Sequence, residues 1–285
     1  MSAPSAIFDK ALLKARRQRA HKQGVETFLL DRVAADLGER LSAVLRSFDR
    51  AVDIGTPHDA VRRALVASGK VAAIEAVPFQ DEVLSVPAGT LDLAVSALAL
   101  QFVNDLPGAL IQVRRALKPD GLMLAALIGG DTLTELRQAF AAAESDIEGG
   151  ISPRVAPFAD IRDVGALLQR AGFALPVVDS ERMTVRYDTV FALMHDLRRM
   201  GATNALTERR RQPLRRATLF RMAEIYRERF ADADGRLRAT FEVIWLSGWA
   251  PHESQQQPLK PGSARTRLAE ALGTTEIPAG EKAGE

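Results

Sequence analysis

Apolar residues in the first half of the chain follow two different spacings. From Val25 to Leu45 they recur every three or four positions, which predicts one long amphipathic helix. From Arg50 onward they form short continuous runs that end in turn residues, which is typical of buried strands. The pattern predicts strands at 50–56, 70–77, 91–98 and 122–128, and helices at 59–67, 106–117 and 131–143. Strands that alternate with helices over short connections indicate a mostly parallel α/β sheet.

The second half of the chain is less regular. Residues 145–158 are rich in Gly, Pro and polar side chains, and their length predicts a binding loop or lid. After this loop we expect a helix at 160–171, strands at 177–187 and 240–249, and helices at 190–200 and 207–230. The predicted organisation is an N-terminal helical segment (1–48), an α/β domain (49–254) with a helical insert at about 188–232, and a tail (255–285). We expect the tail to be irregular, with its last dozen residues disordered.

The composition excludes several classes of protein. The 285-residue chain has no cysteine, which excludes disulfides, thiolate metal sites, iron–sulfur clusters and a cysteine nucleophile. With 38 basic and 36 acidic residues, its net charge of +2 does not indicate a nucleic-acid partner. No apolar run is long enough to predict a membrane span, no paired-histidine spacing predicts a metal site, and no apolar leader is visible. We therefore expect a cytoplasmic protein.

The N-terminal stretch at residues 10–22 is basic and has an apolar side. Its closely spaced cations are Lys14, Arg16, Arg17 and Arg19. Two interpretations stay open at this point. The stretch is either a solvated helix face that packs a few apolar residues, or an arm that contacts an anionic membrane or protein partner.

Candidate ligand-binding residues lie at the ends of the predicted strands, where open α/β sheets bind their ligands. The first strand ends with Asp53 and Gly55, and a glycine there lets the backbone approach a ligand closely. Pro57 has no N–H to donate, so this turn is weak support for a nucleotide site. Glu75 is the one acidic residue directly at the end of the second strand that could hold ribose hydroxyls, and Ser96 ends the third strand.

Two further polar clusters could contribute groups to a cleft. Residues 129–132, Gly-Gly-Asp-Thr, follow the fourth strand, and Asp131 is placed to cap the next helix. Such a turn suits an anion or ligand, and the alternative is a tight turn with an N-cap and no ligand. The run His252-Glu253-Ser254 follows the last strand, and its alternative is an ordinary surface loop.

Taken in order, six segments of the chain resemble one family. They are 8–12 with the basic run after it, VNDLPGAL at 103–110, LKPDG at 117–121, GGDTLTELR at 129–137, GGISPRVAPF at 149–158, and 249–255. Together they resemble the class I S-adenosylmethionine (SAM) methyltransferase-like assembly factors of respiratory complex I, whose characterised mitochondrial members are arginine hydroxylases acting on a complex I subunit. The match covers roughly residues 7–265. Bacterial biotin-pathway methyltransferases share the fold and are a weaker match.

The resemblance implies a Rossmann-like class I methyltransferase fold, with N-terminal helices and a helical insert before the last strand. It also implies SAM as cofactor and a protein client, such as a complex I subunit. On the cofactor side, the candidates are Asp53, Gly55, Glu75 and Ser96 at the strand ends, with Asp81 and Glu82, which resemble the family's acidic pair near the adenine. Glu75 either fills the family's acidic position after the second strand, or that element is absent. On the substrate or client side it implies Asp131, Thr132, Arg137, Ser152, His252, Glu253 and Ser254. It assigns no catalytic residue and no metal ligand.

Departures from the family pattern lie in the cofactor half. The family's D-x-G-x-G-x-G turn keeps only its first glycine in Asp-Ile-Gly-Thr-Pro-His-Asp at 53–59. The stretch from Asp53 to Asp92 is short by about one helix and one strand. The family's His-Trp before the VNDLP segment is Gln101-Phe102 in this chain.

Two functional hypotheses follow. The first is an enzyme that uses SAM to modify a protein side chain, by methyl transfer or by arginine hydroxylation, linked to complex I assembly. The second is a non-catalytic assembly factor or chaperone that no longer binds SAM. Because the family's N-terminal motif begins by Ile7, leaving no room for a transit peptide, we expect a bacterial cytoplasmic relative. The basic N-terminal helix could give it a peripheral contact with the inner membrane.

Overall fold

The structure, a computed structural model, describes residues 6–256, 263 and 266–275 of the chain. It divides the chain into two compact units, residues 1–251 and 252–285. The second unit contains the short helix Leu268–Ala271. The predicted disorder of the last dozen residues falls almost entirely outside the described residues.

The first unit carries the sheet and the long helices. Its helices are α1 (Lys10–Gln23), α2 (Phe28–Ser42), α3 (Ala60–Ala67), α4 (Leu106–Ala116), α5 (Thr134–Glu148), α6 (Ile161–Arg170), α7 (Val190–Arg199) and α8 (Arg216–Phe230). Its strands are β1 (Phe48–Ile54), β2 (Val71–Val77), β3 (Leu91–Ala97), β4 (Leu117–Ile128), β5 (Ala174–Tyr187) and β6 (Leu237–Trp249). Short 3-10 turns lie at Gln80–Glu82 and Leu100–Phe102.

The six strands form one sheet in the order β2-β1-β3-β4-β6-β5. Strands β1 to β4 pair in parallel, and β6 runs antiparallel to both β4 and β5. This arrangement confirms the predicted mostly parallel, Rossmann-like sheet, and α7 and α8 form the predicted helical insert before the last strand. Since β2 and β3 lie on opposite sides of β1, the strand order reverses between β1 and β3. Open α/β sheets bind ligands at such a switch point.

Helices cover both faces of the sheet. On one face, α2 and α3 bury Leu37, Leu41 and Leu65 against Trp245. On the other face, α4 and α6 pack their apolar stripes against β1, β3, β4 and β6. A third cluster joins α5, α7 and α8 to the β5–β6 pair around Tyr226. Burial of these stripes is the main favourable term in holding the layers together.

The short stretch between β1 and β3 forms one helix, α3, and one strand, β2. Because no further strand is added outside β2, this strand is the edge of the sheet, and most of its residues are half-buried or exposed. The chain then returns over residues 78–90 to place β3 directly beside β1. The shortened segment therefore leaves both neighbours of β1 in place at the switch point.

Four local predictions differ from the structure. The irregular loop predicted at 145–158 begins only after Glu148, because α5 continues to that residue. Residues 118–121, which lie between the helix predicted at 106–117 and the strand predicted at 122–128, form a bulge within β4, where pairing jumps from Leu91–Leu117 to Leu93–Leu122. The helix predicted from residue 207 begins only at Arg216, after Pro213. The prediction that Asp131 caps the next helix is wrong, because α5 begins at Thr134 and has Leu133 as its N-cap residue, with no side-chain cap.

Helix α1 is joined to the insert by backbone hydrogen bonds. Asp9 caps the helix by accepting a hydrogen bond from the Leu12 N–H at 2.9 Å, and its own N–H donates to the Ala205 carbonyl at 2.8 Å. A bridge between Phe8 and Leu206 extends this pairing. The segment preceding α1 is thus added to the insert as a short piece of antiparallel backbone. The position of α1 therefore depends on the loop between α7 and α8.

A buried carboxylate fixes the loop after α5. Glu144 is fully buried, and its oxygens accept hydrogen bonds from the Ser152 N–H and Oγ, each at 2.7 Å. Arg154 completes the cluster with an Nε to Oε1 distance of 2.8 Å. Burial alone would raise the pKa of Glu144, but the Ser152 hydrogen bonds and the Arg154 charge hold it below its ordinary value. The carboxylate stays charged and anchors the loop.

We expect Glu144→Gln to lower the free energy of unfolding by about 2–4 kcal/mol, because it leaves the half-buried Arg154 without its counter-charge. Since the pKa of Glu144 is depressed in the folded state, its contribution is present at neutral pH and is lost as the pH falls below the ordinary carboxylate range. Urea unfolding followed by circular dichroism at about pH 7 and about pH 4 checks both points.

The matched control is Asp146→Asn on the same helix, whose half-exposed carboxylate pairs with Arg221 at 3.0 Å. A surface pair of this kind contributes less than about 1 kcal/mol. Equal losses in the two variants at pH 7, or an undiminished pH dependence in Glu144→Gln, would contradict the assignment of Glu144 as the anchor.

Candidate functional site

A cavity of about 1090 Å³ opens at the carboxyl ends of β1, β2 and β3. The turn after β1 contributes Gly55 and Thr56 to its wall, and the segment after β2 contributes Phe79. Phe102 contributes from the turn after β3, and one face of α1 closes the other side. The cavity therefore occupies the switch point of the sheet. We call it the main cavity.

Asp53, the last acidic residue of β1, is the polar group at the base of the main cavity. It is 1% exposed, and its Oδ2 accepts a hydrogen bond from Arg62 Nη1 at 3.1 Å. Its Oδ1 is buried and finds no hydrogen-bond partner in the described part of the chain. Burial raises the pKa of Asp53, and the neighbouring Thr56 hydroxyl and N–H together with the Arg62 charge oppose that rise. A buried acceptor without a donor destabilises the folded state. This oxygen is therefore available for a hydrogen-bond donor on a ligand.

Gly55 keeps the turn after β1 compact. Its φ of +67° is in the left-handed region that favours glycine. A Cβ at this position would lie 3.3 Å from the Phe79 Cβ and 3.5 Å from the Ala99 Cβ. The single glycine retained from the family motif therefore lets the segments after β1, β2 and β3 meet around the cavity.

Thr56 and Ser96 tie β1 to β3 beneath the cavity. Thr56 Oγ1 accepts a hydrogen bond from the Ala97 N–H at 2.9 Å. The buried Ser96 Oγ donates to the Ile54 carbonyl at 2.8 Å. Of these two residues, Thr56 lines the cavity, whereas the predicted cofactor residue Ser96 supports the strand ends from behind.

The three acidic residues predicted for the cofactor side lie in different surroundings. Glu75 is inside β2, two residues before its end, with a carboxylate 66% exposed and 3.9 Å from Arg50. Asp81 lines the main cavity. Glu82 accepts a hydrogen bond from the Asp105 N–H at 2.9 Å and pairs with Lys10 at 2.5 Å. Asp81 is thus the member that faces the cavity, and Glu82 fastens α1 to the segment after β3.

A second, narrower cavity of about 90 Å³ lies beside the main one and shares the side chains of Arg17 and Phe102 with it. We call it the side cavity. Its walls are mostly apolar and include Leu98, Leu133, Leu197, Met200, Phe158 and Phe241. Its polar lining includes Gln101, whose Nε2 donates to the Leu98 carbonyl at 2.9 Å and whose Oε1 is buried without a partner among the described residues.

The residues predicted for the substrate side are only partly brought together. Thr132 lines the side cavity, where its hydroxyl accepts from the Glu242 N–H at 2.9 Å. Arg137 donates to the carbonyls of Gly130, Thr132 and Ala156 at 3.2–3.4 Å and holds the loop in place. Ser152 is held by Glu144, as described above. The Asp131 carboxylate pairs with Arg182 of β5 and contributes to neither cavity wall.

His252, Glu253 and Ser254 belong to the second compact unit. All three are exposed, and His252 Nδ1 lies 2.7 Å from Ser254 Oγ. Their assignment to the substrate side stays a prediction. Among the residues that the structure describes, no group of three His, Cys, Asp or Glu side chains is placed to hold a metal ion.

Sequence reasoning noted the two residues that join the cavities but assigned neither of them to a binding site. Arg17 and Phe102 form the shared wall, with the guanidinium carbon 5.5 Å from the ring centroid. The basic residues of α1 carried a signal in the sequence. Four of them recur every three or four positions and form one face of the helix: Lys10, Lys14, Arg17 and His21. That spacing indicated a face without indicating what it covers.

Comparisons with known proteins identify the family of this chain. A family model described as a methyltransferase domain matches residues 26–176. Human "Arginine-hydroxylase NDUFAF5, mitochondrial" is 36% identical over 286 residues, covering 93% of this chain and 83% of that protein. The Dictyostelium discoideum protein of the same name is 44% identical over 198 residues, covering 69% of this chain. The chain spans only 45% of the length of that relative.

A bacterial methyltransferase is also similar. The Malonyl-(acyl-carrier protein) O-methyltransferase of Laribacter hongkongensis (strain HLHK9) is 42% identical over 181 residues, covering 64% of this chain and 58% of the relative. The family model spans more than half of the chain, and the human relative is matched over most of its length. The chain therefore belongs to the class I SAM-dependent methyltransferase superfamily, in the family that includes the NDUFAF5 proteins.

Proposed function

We propose that this chain binds SAM in the main cavity and modifies a side chain of a protein client that enters the side cavity. The observation that carries the proposal is the unsatisfied buried Oδ1 of Asp53 at the switch point of the sheet. An acceptor held there by Arg62 suits a donor or a cationic group of a ligand.

The main cavity fits SAM in size and in chemistry. Its volume of about 1090 Å³ is ample for a nucleoside with an amino-acid arm. Val77, Phe79 and Val103 supply apolar surface that suits a purine, and Asp53 and Asp81 supply negative charge. Bound SAM would supply an activated methyl group on a positively charged sulfur. The carboxylates would hold the positively charged end of the ligand, while Gly55 lets the backbone approach it.

The side cavity suits a long side chain that carries an N–H donor. Its apolar walls would bury the methylenes of such a side chain, and the Gln101 Oε1 would accept a hydrogen bond from its head group. Because the two cavities share Arg17 and Phe102, the reacting groups would meet at this wall. Positioning of two groups in this way is a large part of catalysis of group transfer.

The name of the human relative favours an arginine side chain as the acceptor. Methyl transfer would break the S–CH3 bond of SAM and form an N–CH3 bond, with release of the amine proton to water. Hydroxylation would in addition need an external oxidant such as O2 with a reductant, because SAM supplies none. The family resemblance makes a respiratory complex I subunit the proposed client. The alternative of a non-catalytic assembly factor without SAM is not favoured, because the relatives carry enzyme names and the cavity keeps its polar base.

For location, we propose a bacterial cytoplasmic protein that contacts the inner membrane peripherally. Lys14, Arg19 and Lys22 are exposed on α1 and would supply the positive charge for that contact. No helix in the described parts of the chain is long and apolar enough to cross a membrane.

We expect Asp53→Asn to weaken SAM binding about 10-fold or more, because it removes the charge of the acceptor at the base of the main cavity. Calorimetric titration of the purified variant with SAM measures the effect. The control is Glu75→Gln, whose exposed side chain lies outside the cavity. It should bind SAM within about 2-fold of wild type, because it removes no buried interaction. Undiminished affinity in Asp53→Asn would remove Asp53 from the site.

The acceptor side is tested separately with Gln101→Leu. We expect this variant to keep SAM affinity within about 2-fold and to lose most of the modification of the client, because the head group loses its hydrogen bond. Cells lacking the chromosomal copy are complemented with each variant, and the isolated complex I subunits are analysed by mass spectrometry for an added methyl group or oxygen atom.

Asp53→Asn in the same cells separates the two functional classes. If the assembly of complex I is restored while the modification is absent, the enzyme proposal fails and the assembly-factor alternative gains support. Normal modification with Gln101→Leu would mean that the acceptor does not use the side cavity.

A further inference from the structure

Arg17 lies on the third turn of α1, at the wall between the two cavities, and no residue that the structure describes compensates its charge. Among the described residues, no carboxylate pairs with it and none of its guanidinium N–H groups donates a hydrogen bond. By contrast, Lys10 on the same face pairs with Glu82, and Arg16 donates to the Asn204 carbonyl. Burial lowers the pKa of Arg17, yet a guanidinium stays charged at neutral pH.

The stem of this arginine is held in place by its neighbours. Gly201 has a φ of +69°, and a Cβ there would lie 3.1 Å from the Arg17 Cα and 3.2 Å from its Cγ. On another side, the guanidinium carbon is 5.5 Å from the centre of the Phe102 ring. Holding a rotamer-rich side chain before a ligand arrives lowers the entropy lost on binding. The arrangement therefore suits a recognition group better than a solvated surface charge.

A partly desolvated cation without a counter-ion is costly unless an anion joins it. The same cavity contains the Asp53 Oδ1, which lacks a partner of its own. Asp53 is paired with Arg62 through its Oδ2. Among the described residues, the Arg17 guanidinium does not pair with the Asp53 carboxylate. A cavity with an unpaired guanidinium and a carboxylate oxygen that lacks a donor is complementary to a zwitterion, such as the ammonium and carboxylate of an α-amino acid.

We propose that Arg17 binds the carboxylate of the amino-acid arm of SAM and is the residue by which the main cavity selects for that carboxylate. This assignment rests on the proposed function, because it places SAM in the main cavity. A guanidinium presents two parallel N–H groups that match a carboxylate. Lys14 and Lys22 also line the cavity but are exposed, so their interaction with an anion is weakened by water and salt.

The test compares two ligands and three variants by calorimetric titration. The ligands are SAM and its decarboxylated form, which keeps the adenosine, the sulfonium and the amine. The variants are Arg17→Met, which retains an apolar stem, Arg17→Lys, which retains the charge without the fork, and Arg19→Met. Arg19 is exposed on the same helix and does not line the cavity, so Arg19→Met is the matched control.

We expect wild type and Arg19→Met to bind SAM about 10- to 100-fold more tightly than decarboxylated SAM, since a charge-assisted hydrogen-bond pair has that strength. Arg17→Met should lose about that factor for SAM and bind the decarboxylated ligand within about 2-fold of wild type, so that its preference disappears. Arg17→Lys should fall between the two. An unchanged thermal midpoint of Arg17→Met confirms that the fold is intact.

Equal loss of affinity for both ligands in Arg17→Met would overturn the proposal, because Arg17 would then act only through the position of α1. Wild type that binds both ligands equally would also overturn it while leaving SAM binding in place. Failure of wild type to bind either ligand would overturn the proposed function and this assignment together.

Discussion

The pairing of β3 directly with β1 is the constraint on which the cavities depend. It places the turn after β1 between the segments that follow β2 and β3, and the left-handed Gly55 allows these three segments to approach one another. The hydrogen bonds from Ser96 to Ile54 and from Ala97 to Thr56 lock this pairing at the strand ends. Loss of a peripheral helix and strand beyond β2 leaves these contacts unchanged. A degenerate glycine motif is therefore compatible with an intact crevice.

Helix α1 is the other half of the site, and it is joined to the rest of the chain by polar contacts at two places. Glu82 pairs with Lys10 and accepts from the backbone after β3, and hydrogen bonds to Glu82 together with the Lys10 charge outweigh burial and hold its pKa below the ordinary value. At the N-terminal end, Asp9 caps the helix and pairs with Arg209 of the insert at 3.2 Å. Helix α1, which closes one side of the main cavity, is thus distant in sequence from most of the strand ends that it covers.

The strands and most helices were predictable because their apolar periodicity reports burial on a sheet or a helix face. The sequence also indicated the strand ends as the site, and Asp53, Gly55 and Asp81 lie there. It did not separate Glu75 from the cavity, since a one-residue difference in register changes the face on which a strand residue lies. The Asp131 cap was wrong because β6 supplies Glu242 to that turn, where its carboxylate accepts from the Asp131 N–H at 2.9 Å. Local sequence pattern could not assign Arg17 and Gln101 to the site. Each carries a polar group that has no partner among the described residues, and only the folded structure shows this.

The attachment of α1 to the insert has a thermodynamic consequence. Residues 6–9 and 205–207 are hydrogen-bonded to each other, and Gly201 touches the backbone of Arg17. Any ligand that is bound more tightly when α1 is in place must, by reciprocity, make the insert harder to displace. A protein that pulls the insert away must weaken the hold on that ligand by the same free energy. The loop after α7, which lines the side cavity at Gly201 and Ala202, is therefore coupled through α1 to the occupancy of the main cavity.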